Sequence, residues 1–193
     1  MTSRDILFTT ETDGLPRHSV ISEKYIHLFP NMLEFTMRRI GTYENLSLLL
    51  DHGIEVPEKI TEINGITDEL IAEHGVVPEG AANLICTLLM DGDCLVSHNV
   101  DFHIKVLKAF YFRMGKEFPK ITTKCLQSSL IEDCAIPFDE EDPSKGFKKP
   151  SLDELKVKYN VPQQASKMDA MHFIYDSVGD KLIGEETIKP ASF

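Results

Sequence analysis

Hydrophobic positions along this chain switch between a period of two and a helical period, and the switches divide it into elements. Ile6-Leu7-Phe8 runs into Thr9-Thr10-Glu11-Thr12, which predicts a strand over about residues 5–11 closed by an Asp13-Gly14 turn. Side chains alternate faces on a strand, so Thr9 and Glu11 share one face and Thr10 and Thr12 the other. Residues 14–30 keep no period and read as an irregular arm. Residues 32–37 and 46–51 read as two more strands, joined by a turn near Gly41, with His52-Gly53 at the end of the third. Together the three predict an antiparallel meander.

Helical punctuation follows. Pro57 opens a short helix over 58–63, and Asn64-Gly65 predicts its left-handed cap. Thr67 caps a second helix with Asp68 and Glu69 in the first turn, and Gly75 closes it. Pro78 starts a longer helix to residue 89, with Ala81, Leu84, Ile85, Leu88 and Leu89 as one apolar stripe. Residues 94–97 predict a short buried strand, parallel to the first because a helical crossover precedes it. Asp101 is expected to cap a helix ending near Arg113, with Phe102, Val106, Leu107, Phe110 and Tyr111 on its apolar side and Gly115 as its stop. Residues 121–123 predict the last strand. The stretch 133–150, with the acidic run Asp139-Glu140-Glu141-Asp142, reads as a solvated loop. Ser151 and Glu154 form a capping-box pattern before a helix over 152–159, and 167–178 predicts the final long helix. The organisation expected is one domain over 1–178 and a C-terminal tail over 179–193 with no clear period, extended or disordered. Neither repeats nor low-complexity segments are visible.

Composition narrows the setting. The chain has 193 residues and is 42% hydrophobic, enough for a single sizeable core. No apolar run approaches the roughly 20 residues that span a bilayer, and the first residues lack the apolar stretch of a signal peptide. A cytoplasmic, intracellular protein without membrane contact is therefore expected. Cys86, Cys94, Cys125 and Cys134 fit no short-hairpin zinc spacing and read as reduced thiols, Cys86 as a small buried hydrophobe. A net charge of −11 argues against broad neutralisation of duplex phosphates. A narrow cleft for a single strand remains compatible with it.

The order meander, crossover, parallel strand, helix and final helix is that of the ribonuclease-H-like fold, and several motifs match it. Thr9-Thr10-Glu11-Thr12-Asp13-Gly14-Leu15-Pro16, the mid-chain Gly65-Ile66-Thr67, His98-Asn99-Val100-Asp101-Phe102-His103, Ser151-Leu152-Asp153-Glu154-Leu155 and Gln164 five residues before Asp169 follow one another as expected. Over residues 4–178 the chain resembles the DnaQ-like (DEDDh) 3′–5′ exonucleases. The resemblance implies an α/β fold with a mixed central sheet, a three-stranded antiparallel meander plus parallel strands, flanked by helices. It also implies two divalent metals held by four carboxylates, a histidine general base, and nucleic-acid-binding contacts at Thr12, Gly14, Leu15, His98, Asn99 and Phe102.

Three of the five positions that carry this chemistry are substituted. Glu11 and Asp169 remain, while Thr9, His103 and Gln164 stand where two carboxylates and the base are implied. A hydroxyl is a poor ligand for a hard cation, imidazole suits transition metals better than Mg²⁺, and an amide takes no proton from water. The expectation is a catalytically inactive or strongly impaired exonuclease-like protein with no cofactor. It would act as a binding or structural module for a protein partner or a single-stranded 3′ end. Two alternatives stay open. One is an active enzyme with a rebuilt site that uses Mg or Mn, or a single transition metal at Glu11, His103 and Asp169 with His172 as a possible addition. The other is a structural subunit of a viral or phage assembly. For His172 the plainer role, a helix-surface histidine paired with Asp169 or Asp176, is preferred. Asp13 and Asp101 are the other nearby acids. The oligomeric state is not encoded in any of these patterns.

Overall fold

The computed structural model describes residues 4–182 and 184–188. Its centre is a six-stranded sheet in the order β3-β2-β1-β4-β5-β6. Strands β1 (Asp5–Thr12), β2 (Met32–Arg39) and β3 (Asn45–Leu49) form the antiparallel meander; β4 (Cys94–Ser97) runs parallel to β1, and β5 (Ile121–Cys125) parallel to β4. The helices α1 (Glu58–Asn64), α2 (Asp68–His74) and α3 (Pro78–Leu88) supply the crossover that makes the parallel β1–β4 pairing possible. This is the mixed α/β, ribonuclease-H-like architecture.

Alternation along β1 sorts the core into two layers. Ile6 and Phe8 pack with Phe35, Ile85, Leu107, Phe110 and Tyr111 beneath α3 and α4 (Val100–Arg113). Leu7 packs on the opposite face with Val96, Leu155, Met171 and Ile174, beneath α7 (Leu152–Lys158) and α8 (Lys167–Val178). Burial of each large side chain contributes about 1.5–3 kcal/mol, so β1, buried on both faces, is the strand both layers depend on.

The predicted caps form. Gly65 sits at φ +75°, a conformation with little cost only for residues without a Cβ, and the Thr67 hydroxyl accepts from the Leu70 N–H at 3.1 Å. Ser151 Oγ accepts from the Glu154 N–H at 3.2 Å while Glu154 accepts from the Ser151 N–H at 2.8 Å, closing the capping box. Ser151→Ala is expected to cost about 1 kcal/mol, read as a lower denaturant midpoint at unchanged m-value.

Several expectations need correction. Helix α4 begins at Val100, with Asn99 in a left-handed conformation at its N-cap (φ 59°) and no side-chain cap; Asp101 is exposed in the first turn instead. On α3, Ala82 is buried and Leu84 is exposed, because the helix rests on the sheet through Ala81, Ala82 and Ile85. Short helices α5 (Leu126–Ser129) and α6 (Ile131–Cys134) follow β5 without an amphipathic period to announce them. β5 is not the last strand, since β6 (Gly184–Ile188), within the predicted tail, pairs antiparallel with it. Cys86 and Cys134 are half-buried, and all four cysteines are free thiols. Among the described residues no helix is long and apolar enough to cross a membrane.

Candidate functional site

The candidate site forms where β1 ends. Thr9 and Glu11 lie on the Leu7 face, toward α8, as the alternation predicts. Thr9 is buried and stands opposite Thr36; Glu11 stands opposite Glu34 on β2. Directly opposed side chains in an antiparallel pair have Cβ atoms about 5 Å apart, so two carboxylates share this strand end. Glu34 accepts from the Ser47 hydroxyl at 2.9 Å. Glu11 is ion-paired with the ammonium of Lys167, the first residue of α8.

Asp169 is held from two sides. Ser166, the N-cap of α8, donates its hydroxyl to Asp169 Oδ2 at 2.7 Å, and Arg38 donates to Oδ1 at 2.9 Å. The Ser166 hydrogen bond first, and then the Arg38 guanidinium, hold the Asp169 carboxyl below its ordinary range. Arg38 is on the same face of β2 as Glu34 and spends its other nitrogens on Asn45 Oδ1 (2.7 Å) and His172 Nδ1 (3.0 Å). His172 faces Asp176 at 3.7 Å with its other nitrogen. Glu11 and Asp169 therefore each have a side-chain cation of this chain upon them.

His103 reaches β1 from the opposite layer. Its Nδ1 accepts from the Thr10 N–H at 3.1 Å and lies 2.9 Å from Thr10 Oγ1. A backbone N–H can only donate, so Nδ1 is unprotonated and the ring proton is on Nε2. The ring sits edge-on to Phe8 and Phe102. Burial, reinforced by the positive Lys167, depresses its pKa to about 3, against a weaker opposing pull from the His98 carbonyl. His103 is thus a neutral tie between α4 and β1. His98 is also depressed, mainly by burial, and its Nε2 lies 3.0 Å from the Pro150 carbonyl. Among the described residues no three His, Cys, Asp or Glu side chains gather as metal ligands would, so Glu11, His103 and Asp169 are not assembled into one ligand set.

The remaining positions divide between structure and surface. Gln164 is exposed in the turn before α8. Thr12 is buried and donates to the Gly14 carbonyl at 2.6 Å, shaping the turn after β1. Asp13 accepts from the backbone and side-chain nitrogens of Asn31 at 2.8 and 2.7 Å, which closes the arm and leaves this acid out of the site. Leu15, Asn99 and Phe102 do converge: they line a cleft of about 620 Å³ between the arm and α4. Arg17, His18, Asp101 and Lys105 also line it. Leu15 is 74% exposed there, an apolar side chain standing free at the mouth. Gly14 belongs to the adjoining groove with Asp13 and Asn31.

Sequence reasoning missed Arg17, Lys105, Arg38 and Lys167. The only available signal was that Lys167 is two residues from Asp169; nothing local says it faces Glu11, which is 156 positions away.

The sheet order and its flanking helices define a ribonuclease-H-like, exonuclease-like fold. No family model and no curated protein matches it. Among solved structures it is similar to apo exonuclease I (TM-score 0.67, 15% identity, 92% of this chain and 42% of that one). It is also similar to E. coli exonuclease I in complex with a dA16 oligonucleotide (TM-score 0.63, 15% identity, 90% and 39%) and to an ExoI/SSB-Ct complex (TM-score 0.63, 15% identity, 90% and 40%). The chain spans about 40% of the length of these structures.

Proposed function

We propose that this protein is a catalytically inactive or strongly impaired 3′–5′ exonuclease-like binding module that engages a single-stranded 3′ end or a protein partner without cofactor. The reading is carried by the His103–Thr10 hydrogen bond. It commits the residue at an implied metal-ligand position to the protein interior as a neutral group. Thr9 adds no charge and Gln164 no base. These residues do not fit a two-metal centre, whose hard cations favour several charged oxygens.

The binding half of the reading rests on the cleft. Arg17 and Lys105 outnumber Asp101 in its wall and leave it locally positive in a chain of net charge −11, beside Phe102 and the exposed Leu15. Phosphate neutralisation next to an apolar or aromatic surface is the usual means of holding a single strand. The structural neighbours with a dA16 oligonucleotide and with SSB-Ct make both partner types reasonable.

The test is a 3′-labelled single strand incubated with the protein and Mg²⁺ or Mn²⁺. Absence of the base alone removes about 10²–10⁴-fold in rate, so no nucleotide release above buffer is expected. Robust metal-dependent release that Glu11→Ala abolishes would overturn the proposal.

A further inference from the structure

We infer that Lys167 and Arg38 are built-in counter-cations that occupy the degenerate site, so that it takes up no divalent metal unless Lys167 is removed. The inference rests on the reading above and sharpens it, because the site would be filled as well as short of ligands.

Three carboxylates lie at this strand end: Glu11 and Glu34 on the sheet and Asp169 on α8 itself. Glu11 and Glu34 are directly opposed on neighbouring strands. Like charges in that position repel, and an uncompensated pair destabilises the strands or draws in a cation. Lys167 answers this repulsion at Glu11, while Arg38 compensates the separate charge of Asp169. Both cations are fixed by the fold. Lys167 opens α8 one residue after the Ser166 cap, and Arg38 has all three guanidinium nitrogens engaged, with Asn45, His172 and Asp169. A tethered ammonium is present at an effective concentration that a dissolved ion must exceed in order to displace it.

Glu11 and Glu34 are thus a latent cation site masked by one side chain. Lys167 is about half exposed (47%), so replacing it leaves the core untouched. Lys167→Gln is expected to unmask the Glu11–Glu34 pair, and Lys167→Arg to keep it masked.

The experiment is thermal unfolding of the full chain with Mn²⁺ alone as probe, against EDTA. Wild type and Lys167→Arg are expected to show the same Tm in about 10 mM Mn²⁺ and in EDTA. Lys167→Gln is expected to melt lower in EDTA and to regain about 3–5 °C in Mn²⁺, the response for a ligand at several times its Kd. Adding Glu11→Gln to that variant removes the gain. A wild-type Tm that rises with Mn²⁺, or a Lys167→Gln variant that ignores it, would overturn the inference. Neither result alters the strand-release test, which stands or falls on nucleotide release.

Discussion

Acidification from pH 6.5 to 3 is expected to remove on the order of 4 kcal/mol from this fold through one side chain, His103. The ring is buried, and its folded-state pKa of about 3 lies below the ordinary 6.5. In the unfolded chain the imidazole protonates as pH falls through 6.5, while in the folded protein it does not. The unfolded state therefore binds more protons throughout the window between the two values, and stability falls as pH falls. A tenfold difference in proton affinity between the two states corresponds to about 1.4 kcal/mol, which sets the magnitude. Above about pH 7.5 the residue has almost no pH effect. His98, depressed for the same first reason, adds to the same slope. Urea unfolding midpoints measured from pH 7.5 down to 4 would show the decline. His103→Asn offers a carbonyl oxygen to the Thr10 N–H and does not titrate, so it should flatten the curve. A wild-type curve already flat between pH 6.5 and 4 would contradict the assignment of a buried neutral ring.

Asp93→Ala is expected to lower stability by about 3 kcal/mol and Tm by about 6–12 °C. Asp93 is buried at the turn into β4, and it accepts from Arg39 at 3.0 and 3.4 Å and from the Met90 N–H at 2.9 Å. Arg39 is only 11% exposed, so removing the acid strands a guanidinium in the protein. Glu44 at 2.7 Å and the Leu88 carbonyl at 2.8 Å would still hold the arginine, which keeps the cost at the lower end for a broken buried pair. Asp93→Asn preserves the shape and an acceptor and should lose roughly half as much. Calorimetric melting of the two variants beside wild type measures the difference. Equal Tm values for wild type and Asp93→Ala would show that the pair is not desolvated as described.

Much of this architecture was legible locally because its causes are local. The turn at Gly65, the hydroxyl cap of Thr67, the Ser151–Glu154 box and the span of α8 each depend on residues within a few positions of one another. Alternation along β1 also placed Thr9 and Glu11 on one face before any partner was known. Weakly periodic pieces were lost. α5 and α6 are a single turn each, and β6 is held by its pairing with β5. The start of α4 was misplaced because the left-handed Asn99 replaces a side-chain cap, and that conformation leaves no spacing to read.

The order of strands and helices and the identities of Thr9, Glu11, His103, Gln164 and Asp169 were legible in the sequence, because both depend on residue type at fixed spacing. Only the tertiary structure decided what fills the strand end. Lys167 meets Glu11 and Arg38 meets Asp169 across more than a hundred positions of chain. Such pairings follow from how α8 packs on the sheet, and charge interactions depend on distance in space rather than along the chain. The same packing turned His103 inward to Thr10, where it ties β1 to α4.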